Sequence, residues 1–263
     1  MPYETVIFEK KGNVAYLTLN RPEVMNAMNP LMYQELSTAW CQVRDDPDIW
    51  VAIVTGAGER AFSAGADLKS RAAEVGEERG LAPFWQTQEG MLLNRGLEVW
   101  KPIISAVNGY CLGGGMTLLM ATDIRVAAEH ATFGLSEVKR GILPANGGTQ
   151  RAIQQLPYPI AMELLLIGDR VDAHEAYRIG LINKVVPFGD LISTAEDYAR
   201  RLCENAPLAV RAIKELAVRG QYLPLEAGLR LEGAISRVLS QTDDAKEGPR
   251  AFAEKRKPTW KGR

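Results

Sequence analysis

The stretch at residues 102–123 constrains the fold of this chain more than any other part of the sequence. Ile103–Val107 is apolar and rich in β-branched residues, which predicts a buried strand. Residues 116–121 have the composition of an apolar helix, and the triplet Gly113-Gly114-Gly115 lies between the two. Because glycine has no Cβ, a ligand oxygen can approach the main-chain N–H groups of such a turn closely. A tight strand-to-helix turn packed against a neighbour fits these residues equally well.

A second run of small residues follows the apolar segment at residues 49–55, which has the pattern of a strand covered on both faces. Ala64, Gly65 and Ala66 again leave the backbone open to close approach. Two such loops, each after a buried strand, meet the requirement of an oxyanion hole with two amide donors. The pair of loops therefore predicts a catalytic site.

The rest of the chain predicts an α/β core followed by a helical region. Residues 5–9 and 14–19 alternate in polarity around Gly12, as in a β-hairpin, and Asn29 followed by Pro30 predicts the start of a helix. The later segments are predicted as helices at residues 160–167, 173–179, 191–204, 208–219 and 225–240, and as a strand at residues 183–186. We therefore predict an α/β core over residues 1–195 and a helical C-terminal region over residues 196–263.

Composition and charge exclude several classes of function. The 263 residues are 46% hydrophobic and carry a net charge of −1, without the basic excess that is typical of nucleic-acid binding. The three cysteines, Cys41, Cys111 and Cys203, are too widely spaced for a metal knuckle, and the two histidines fit no metal or triad motif. No apolar run approaches the length of a membrane span. The sequence predicts a cytoplasmic protein without a metal, a nucleic-acid partner or a membrane partner.

Glu137 is the candidate for acid–base chemistry that remains after other motifs fail. Ser63 is not preceded by the glycine of a nucleophile elbow. Apolar and small residues surround Glu137 at positions 131–138, and desolvation there would raise the pKa of its carboxyl toward useful proton transfer. A solvated glutamate near a helix start is the alternative, and this segment taken alone favours it.

Six segments, in order along nearly the whole chain, carry a resemblance to a known family. They are NRPEVMNAM at residues 20–28, AFSAGADLK, AVNGYCLGGG, FGLSEVKRGILPANGGTQR ending at Arg151, LLLIGDRVDAHEAYRIGLINKVVP ending at Pro187, and the terminal AFAEKRKPTWKGR, which is similar to a C-terminal helix of that family. The family is the crotonase (enoyl-CoA hydratase/isomerase) superfamily. The resemblance implies an α/β fold built as a spiral of ββα units, with helical C-terminal trimerisation and trimers that often pair into hexamers.

The resemblance also implies a site. The thioester oxygen of an acyl-CoA would accept hydrogen bonds from the amides of Ala66 and Gly114, and coenzyme A would be part of the substrate rather than a separate cofactor. Matching positions imply CoA or substrate binding by Val24, Ala27, Ala64, Asp67, Leu68, Tyr110, Gly113, Ser136, Ala145, Phe252 and Lys255, with the last two reaching the CoA of a neighbouring subunit. The apolar residues Trp85, Met91, Leu92 and Trp100 are candidates for the acyl pocket, with a place in the core as the alternative. Residues 69–90 are a candidate for a mobile flap, with a solvated surface helix as the alternative.

One departure from the family pattern bears on the reaction. Typical hydratases carry two glutamates that hold the attacking water; Glu137 matches the second, but Thr117 stands at the position of the first. A threonine cannot act as a carboxylate base near neutral pH. We expect Glu137 to move the proton and Thr117 to position water or the β-substituent. Hydration or dehydration, Δ3–Δ2 isomerisation, an aromatic hydratase-lyase reaction and a catalytically silent acyl-CoA binder all remain open.

Overall fold

The computed structural model describes residues 3–67 and 91–263, which fold into two sheets surrounded by helices. The strands are β1 (Val6–Lys11), β2 (Val14–Leu19), β3 (Val51–Gly56), β4 (Ala61–Ser63), β5 (Ile103–Val107), β6 (Tyr110–Leu112), β7 (Ile124–Ala128), β8 (Thr132–Gly134), β9 (Val171–Asp172) and β10 (Lys184–Val186). The helices are α1 (Pro30–Asp45), α2 (Gly114–Leu119), α3 (Gly148–Gln155), α4 (Tyr158–Leu166), α5 (Ala173–Arg178), α6 (Leu191–Cys203), α7 (Pro207–Gly220), α8 (Leu225–Leu239) and α9 (Asp243–Ala253).

The two sheets are built by strands that alternate along the chain. The larger sheet has the order β1-β2-β3-β5-β7-β10, and the smaller has the order β4-β6-β8-β9. Three long strands of the larger sheet, β3, β5 and β7, are each followed directly by a short strand of the smaller sheet, so that the chain winds between the two. Pairing within β3–β5–β7 and within β4–β6–β8 is parallel. This winding is the predicted spiral of ββα units, and the α/β fold class is confirmed.

The predicted hairpin and first helix form for the expected local reasons. β1 and β2 pair antiparallel, with Lys11 opposite Val14 across the turn. The Asn29 side chain caps α1 by accepting a hydrogen bond of 2.9 Å from the Met32 N–H. The face of α1 buried against the sheet is made of Met32, Leu36, Ala39, Trp40 and Val43, the residues that the helical spacing selects.

Around the glycine triplet, the order of elements in the structure differs from the predicted strand followed directly by a helix. The short strand β6 intervenes between β5 and the helix, and α2 begins at Gly114, inside the triplet. β6 has three residues and pairs with β4 and β8 on either side, so tertiary contacts define it rather than any periodicity of its own. The two small-residue loops thus follow neighbouring strands of the smaller sheet.

The prediction that the terminal AFAEKRKPTWKGR forms a helix is wrong beyond Ala253, where α9 ends. Lys255 adopts a left-handed conformation with φ 53°, and Pro258 cannot donate the hydrogen bond that continued helix would need. The tail then folds back on its own chain, because the amides of Lys261 and Gly262 donate to the Asp244 carboxylate at 2.7 and 2.9 Å. These contacts hold the basic tail against α9.

The helical second half packs on the larger sheet through α6. Leu191, Ala195 and Ala199 of this helix are buried in a core cluster with residues of β3, β5 and β7. The predicted boundary between residues 195 and 196 falls inside α6, and the division into two parts stays a prediction. Within the two ranges that the structure describes, each helix is too short or too polar to cross a lipid bilayer.

Candidate active site

The two small-residue loops meet at one cavity of about 590 Å³. Its lining includes residues 64–67 after β4, residues 112–114 at the start of α2, and side chains of the segment between β8 and α3. Thr117 and Glu137, the two predicted catalytic residues, both line it. The structure therefore brings together both predicted loops and both predicted side chains.

The Ala66 N–H points away from the backbone of Met28, with which Ala66 is paired. Met28 forms an isolated parallel bridge with Ala66, in which the Met28 N–H donates to the Gly65 carbonyl and the Asp67 N–H donates to the Met28 carbonyl, at 2.8 and 2.9 Å. In a parallel pair the residue between two such bonds directs its own N–H to the opposite side. The pairing with Met28 therefore leaves the Ala66 N–H available on the other edge of the loop.

The second loop brings the Gly114 amide to the same place. A Cβ added at Gly65 would lie 2.9 Å from the Gly114 nitrogen, and one added at Gly114 would lie 3.3 Å from the Ala66 nitrogen. Only residues without Cβ atoms allow the two loops to approach this closely. Within residues 3–67 and 91–263, neither the Ala66 nor the Gly114 N–H donates to a protein acceptor.

Gly113 fixes the geometry between this pair of amides and Glu137. Its φ of 52° and ψ of −116° suit glycine alone, and its N–H donates to the Gly134 carbonyl at 2.9 Å. A Cβ added at Gly113 would lie 3.3 Å from Glu137 Oε1. The glycine thus makes room for the carboxyl beside the loop that carries the Gly114 amide.

The Glu137 carboxyl is poorly solvated and incompletely bonded. It lies in a 3₁₀ turn at Ser136–Arg140, and its Oε2 atom is buried without a hydrogen-bond partner among the described residues. Burial raises the pKa of Glu137 above its ordinary value, while a backbone hydrogen bond and the charge of Arg140 oppose this shift. A carboxyl with a raised pKa and an unsatisfied oxygen is suited to exchanging a proton.

Thr117 lines the same cavity, but its hydroxyl already forms two hydrogen bonds within the protein. Its side chain is buried, with 1% of the residue exposed. The hydroxyl donates to the Gly114 carbonyl at 3.0 Å and accepts from Asn94 Nδ2 at 3.0 Å. A hydroxyl has one proton, which Gly114 already receives, so Thr117 can offer water or substrate only a remaining lone pair. The contact with Gly114 also ties Thr117 to the peptide that follows the predicted oxyanion donor.

Two polar residues to which the sequence assigned no role hold the first loop in place. Asn26 is fully buried with φ 53°, and its Nδ2 donates to the carbonyls of Ala57 and Ala61 at 3.0 and 2.7 Å. Ser63 Oγ donates to the Asn26 carbonyl at 2.8 Å and accepts from the Gly65 N–H at 3.1 Å. Asn26 belongs to the NRPEVMNAM segment, and its only signal in the sequence was that position.

The other predicted binding residues divide into two groups. Ala64, Asp67, Gly113, Ser136 and Ala145 line the cavity. The described residues that line the cavity do not include Val24, Ala27, Tyr110, Phe252 or Lys255.

Three of the residues outside the lining, Ala27, Tyr110 and Phe252, have other contacts or are exposed. The Ala27 carbonyl accepts from Arg21, which also forms an ion pair of 2.9 Å with Asp67, and the Tyr110 ring lies 5.3 Å from the Arg170 guanidinium carbon. Phe252 is 87% exposed. That Phe252 and Lys255 reach the CoA of a neighbouring subunit stays a prediction.

The described apolar candidates for the acyl pocket, Met91, Leu92 and Trp100, do not line this cavity. Met91 and Trp100 line a second cavity of about 530 Å³, and Leu92 is buried in the main core. Leu92 therefore fits the alternative of a core residue, whereas Met91 and Trp100 border a separate depression. Leu68, Trp85 and the predicted flap at residues 69–90 lie outside the described residues.

Comparison with known proteins defines the class to which this fold and site belong. The structure superposes on the crystal structure of enoyl-CoA hydratase from Mycobacterium tuberculosis H37Rv with a TM-score of 0.90 and 37% identity, covering all of both chains. An enoyl-CoA hydratase from Bacillus anthracis gives the same TM-score of 0.90 at 35% identity, covering 99% of this chain and 100% of that one. The shared architecture is the crotonase fold.

Sequence comparison narrows the class to a family. A family model for enoyl-CoA hydratase/isomerase matches residues 9–263. The chain is 42% identical to (E)-benzylidenesuccinyl-CoA hydratase of Thauera aromatica over 257 residues, which are 98% of this chain and 99% of the relative. It is 41% identical to carnitinyl-CoA dehydratase of Citrobacter koseri over 264 residues, 99% of each chain. The protein belongs to the enoyl-CoA hydratase/isomerase family, and the predicted membership is confirmed.

Proposed function

We propose that this protein adds water to, or removes water from, the 2,3-double bond of an enoyl-CoA through a thioester enolate. The observation that carries the proposal is the buried Oε2 of Glu137, which has no hydrogen-bond partner in the described part of the chain and lies beside the loop that bears the Gly114 amide. Hydratase and dehydratase are the activities named for the two relatives at 42% and 41% identity, which supports a reaction of water.

The first step of hydration places charge on the thioester oxygen. The N–H groups of Ala66 and Gly114 donate to this oxygen, and Glu137 takes a proton from water as the water oxygen bonds to C3. The electron pair of the double bond moves toward the thioester and forms the enolate. A single oxyanion donor is worth about a hundred- to a thousandfold in rate, so both amides are needed for efficient turnover.

The second step returns the proton. Protonated Glu137 delivers it to C2, which collapses the enolate to the 3-hydroxyacyl thioester and restores the carboxylate. One carboxyl thus serves as base and then as acid, and dehydration follows the same steps in reverse. Thr117 contributes by holding the Gly114 peptide and by offering its remaining lone pair to water. Coenzyme A enters as part of the substrate, and the scheme needs no separate cofactor.

Isomerisation of a 3-enoyl-CoA to a 2-enoyl-CoA is the second candidate. The bonded hydroxyl of Thr117 favours it, because this reaction needs one carboxyl to carry a proton between C2 and C4 and no bound water. Both candidates share the oxyanion donors and Glu137. They differ in whether oxygen is added to the acyl chain.

Product analysis in labelled water separates the candidates. Crotonyl-CoA incubated in D₂O with ¹⁸O-labelled water should give 3-hydroxybutyryl-CoA with the oxygen label at C3 and one deuterium at C2. Conversion of (E)-hex-3-enoyl-CoA to the 2-enoyl thioester without the oxygen label would support the isomerase instead. Aldehyde release from a hydroxycinnamoyl-CoA would mark a hydratase-lyase. Tight binding of all three thioesters without any product would indicate a silent binder.

We also propose that the protein assembles as a homotrimer or a dimer of trimers. In the single chain α8 has no buried residue, and its apolar side chains include Leu225, Leu229 and Val238, which are exposed. Leu225 and Leu229 lie one helical turn apart on the same face, and an exposed apolar face of this kind is typical of an interaction surface. Analytical ultracentrifugation should give the mass of three or six chains, and a monomer would contradict the proposal.

A further inference from the structure

The second cavity, of about 530 Å³, lies apart from the candidate active site, since no described residue lines both cavities. Among the described residues, the charged side chains of its lining are Arg44, Glu98, Lys101 and Arg211. All but Glu98 are cationic. The second cavity therefore has an excess of positive charge that the proposed reaction does not use.

Lys101 precedes β5 and Arg211 lies on α7, yet both are anchored to the turn that follows α1. Lys101 Nζ donates to the carbonyls of Val43 and Asp46 at 2.7 and 2.5 Å. Arg211 Nη2 donates to the Ile49 carbonyl at 3.3 Å, and the Ile49 N–H closes the turn by donating to the Asp46 carbonyl at 3.1 Å. The turn therefore holds the two cations close to one another beside the cavity.

The two cations have no carboxylate partner in the described part of the chain. Lys101 Nζ spends its hydrogen bonds on main-chain carbonyls and keeps a further proton without an acceptor within residues 3–67 and 91–263. Of the N–H groups of Arg211, only the one directed at Ile49 has an acceptor there, and Nε is buried without any. Both side chains thus keep charge and donors that no described residue satisfies.

The other charged side chains of the lining are already paired. Arg44 Nε lies 2.6 Å from Asp45 Oδ1, and Arg219 Nη2 on α7 lies 3.0 Å from Glu98 Oε1. The one acid of the described lining is therefore engaged by a different cation. The charge that remains unbalanced is that of the two cations on the turn.

Burial makes the positive charge costly at this position. Lys101 is 3% exposed, and burial, followed by the charge of Arg211, lowers its pKa to about 8. Burial also lowers the pKa of Arg211. Two like charges that are partly withdrawn from water repel one another, and an anion bound between them would offset both costs.

We propose that the second cavity binds a small oxyanion, a phosphate or carboxylate group, through Lys101 and Arg211. A guanidinium donates to two oxygens of such a group at once, and an ammonium adds a charge-assisted bond from its remaining proton. Because no described residue lines both cavities, this binding is separate from the proposed reaction and needs no thioester.

Isothermal titration calorimetry with inorganic phosphate tests the site, at an ionic strength held constant with sodium chloride. We expect a single phosphate per chain, bound more tightly than acetate because its greater charge faces both cations. Binding of acetate in preference to phosphate would identify a carboxylate as the ligand and still support the site. Absence of saturable binding by either anion would overturn the proposal.

Variants locate the bound anion. Arg211→Met should lower phosphate affinity by about tenfold or more, while Arg211→Lys should keep part of it because the charge remains. Arg140→Met removes a cation from the active-site cavity instead and should leave phosphate affinity unchanged. If the affinity falls in Arg140→Met and not in Arg211→Met, the phosphate binds in the active site and the proposal is wrong.

The pH dependence of the wild type tests the contact with Lys101 without any substitution, so it applies even if Arg211→Met does not fold. The described charged groups near Lys101 come from β1, the end of α1 and α7, and they are Lys10, Arg44, Asp45, Asp46, Arg211 and Lys214. Sulfate, as the probe, keeps its charge while Lys101 titrates. Because an anion favours the protonated ammonium, sulfate affinity should fall by up to about tenfold from pH 7 to pH 9. An affinity that stays constant would contradict the contact with Lys101 and overturn the proposal.

Discussion

Glu137 and Thr117 lie twenty positions apart in the sequence and line the same cavity. They differ in hydrogen bonding, because the Thr117 hydroxyl is bonded within the protein whereas one oxygen of Glu137 has no bond to a described residue. Thr117 uses its only proton on Gly114 and accepts from Asn94. Glu137 has a buried oxygen without a partner in the described chain and a pKa raised by burial. Leaving a buried polar atom unbonded costs stability, so a retained example at a cavity points to chemistry rather than to folding.

The contrast also separates two kinds of contribution to one site. Thr117 acts on the framework, because its bonds hold the Gly114 peptide and the segment that carries Asn94. Glu137 carries a carboxyl that can change its protonation state in the cavity. Substitutions at the two positions should therefore produce different signatures: a loss of turnover at Glu137 and a loss of stability at Thr117.

The largest effect is expected for Glu137→Gln. Loss of an acid–base group lowers kcat by about 10²- to 10⁴-fold, while the amides of Ala66 and Gly114 remain to bind the thioester. Steady-state kinetics on crotonyl-CoA and calorimetric titration with a saturated acyl-CoA measure the two quantities. Glu129→Gln, at an exposed position before β8, should leave both unchanged. Undiminished turnover in Glu137→Gln would remove the residue from the mechanism.

Thr117→Val should give an intermediate effect of a different kind. The substitution keeps the side-chain volume but leaves buried Asn94 Nδ2 without its acceptor, at a cost of about 1–3 kcal/mol in the free energy of unfolding. Urea denaturation measures this change. Thr38→Val removes a comparable hydroxyl bond, from Thr38 to the Gln34 carbonyl, on the exposed surface of α1 and should cost far less. Equal costs at both positions would mean that the Thr117 bonds contribute nothing special to the framework.

The smallest effect is the pH dependence of stability at Glu137. Because burial raises its pKa in the folded protein, the folded state binds this proton more tightly than the unfolded chain does. That stabilisation is complete below the unfolded pKa of about 4.3 and is lost as pH rises through the folded pKa. Glu137→Gln should therefore melt at a higher temperature than the wild type at pH 8, with the difference disappearing near pH 4. Scanning calorimetry at the two pH values measures it; a lower melting temperature at pH 8 would show that the ionised carboxyl is stabilised instead.

The sequence by itself determined the α/β class, the β1–β2 hairpin, the buried face of α1 and the two small-residue loops. These features are local, since they depend on the period of apolar residues, on a capping side chain or on the absence of a Cβ. The residues around Glu137 also made it the candidate for acid–base chemistry, and the family resemblance added the amides of Ala66 and Gly114 as the oxyanion donors. The same local information could not find β4, β6 or β8, because strands of three residues show no periodicity.

Only the tertiary structure decided how these positions relate to one another. It placed the Ala66 and Gly114 amides against each other through contacts that glycine alone permits, and it left an oxygen of Glu137 without a hydrogen bond to any residue of the two described ranges. It also tied Thr117 into the framework and folded the basic tail onto Asp244 rather than into a continued helix. The approach of the two loops, the bond from Asn94 to Thr117 and the contact of the tail with Asp244 each join residues that are distant in the sequence. Contacts of this kind are not encoded in the pattern of any single segment.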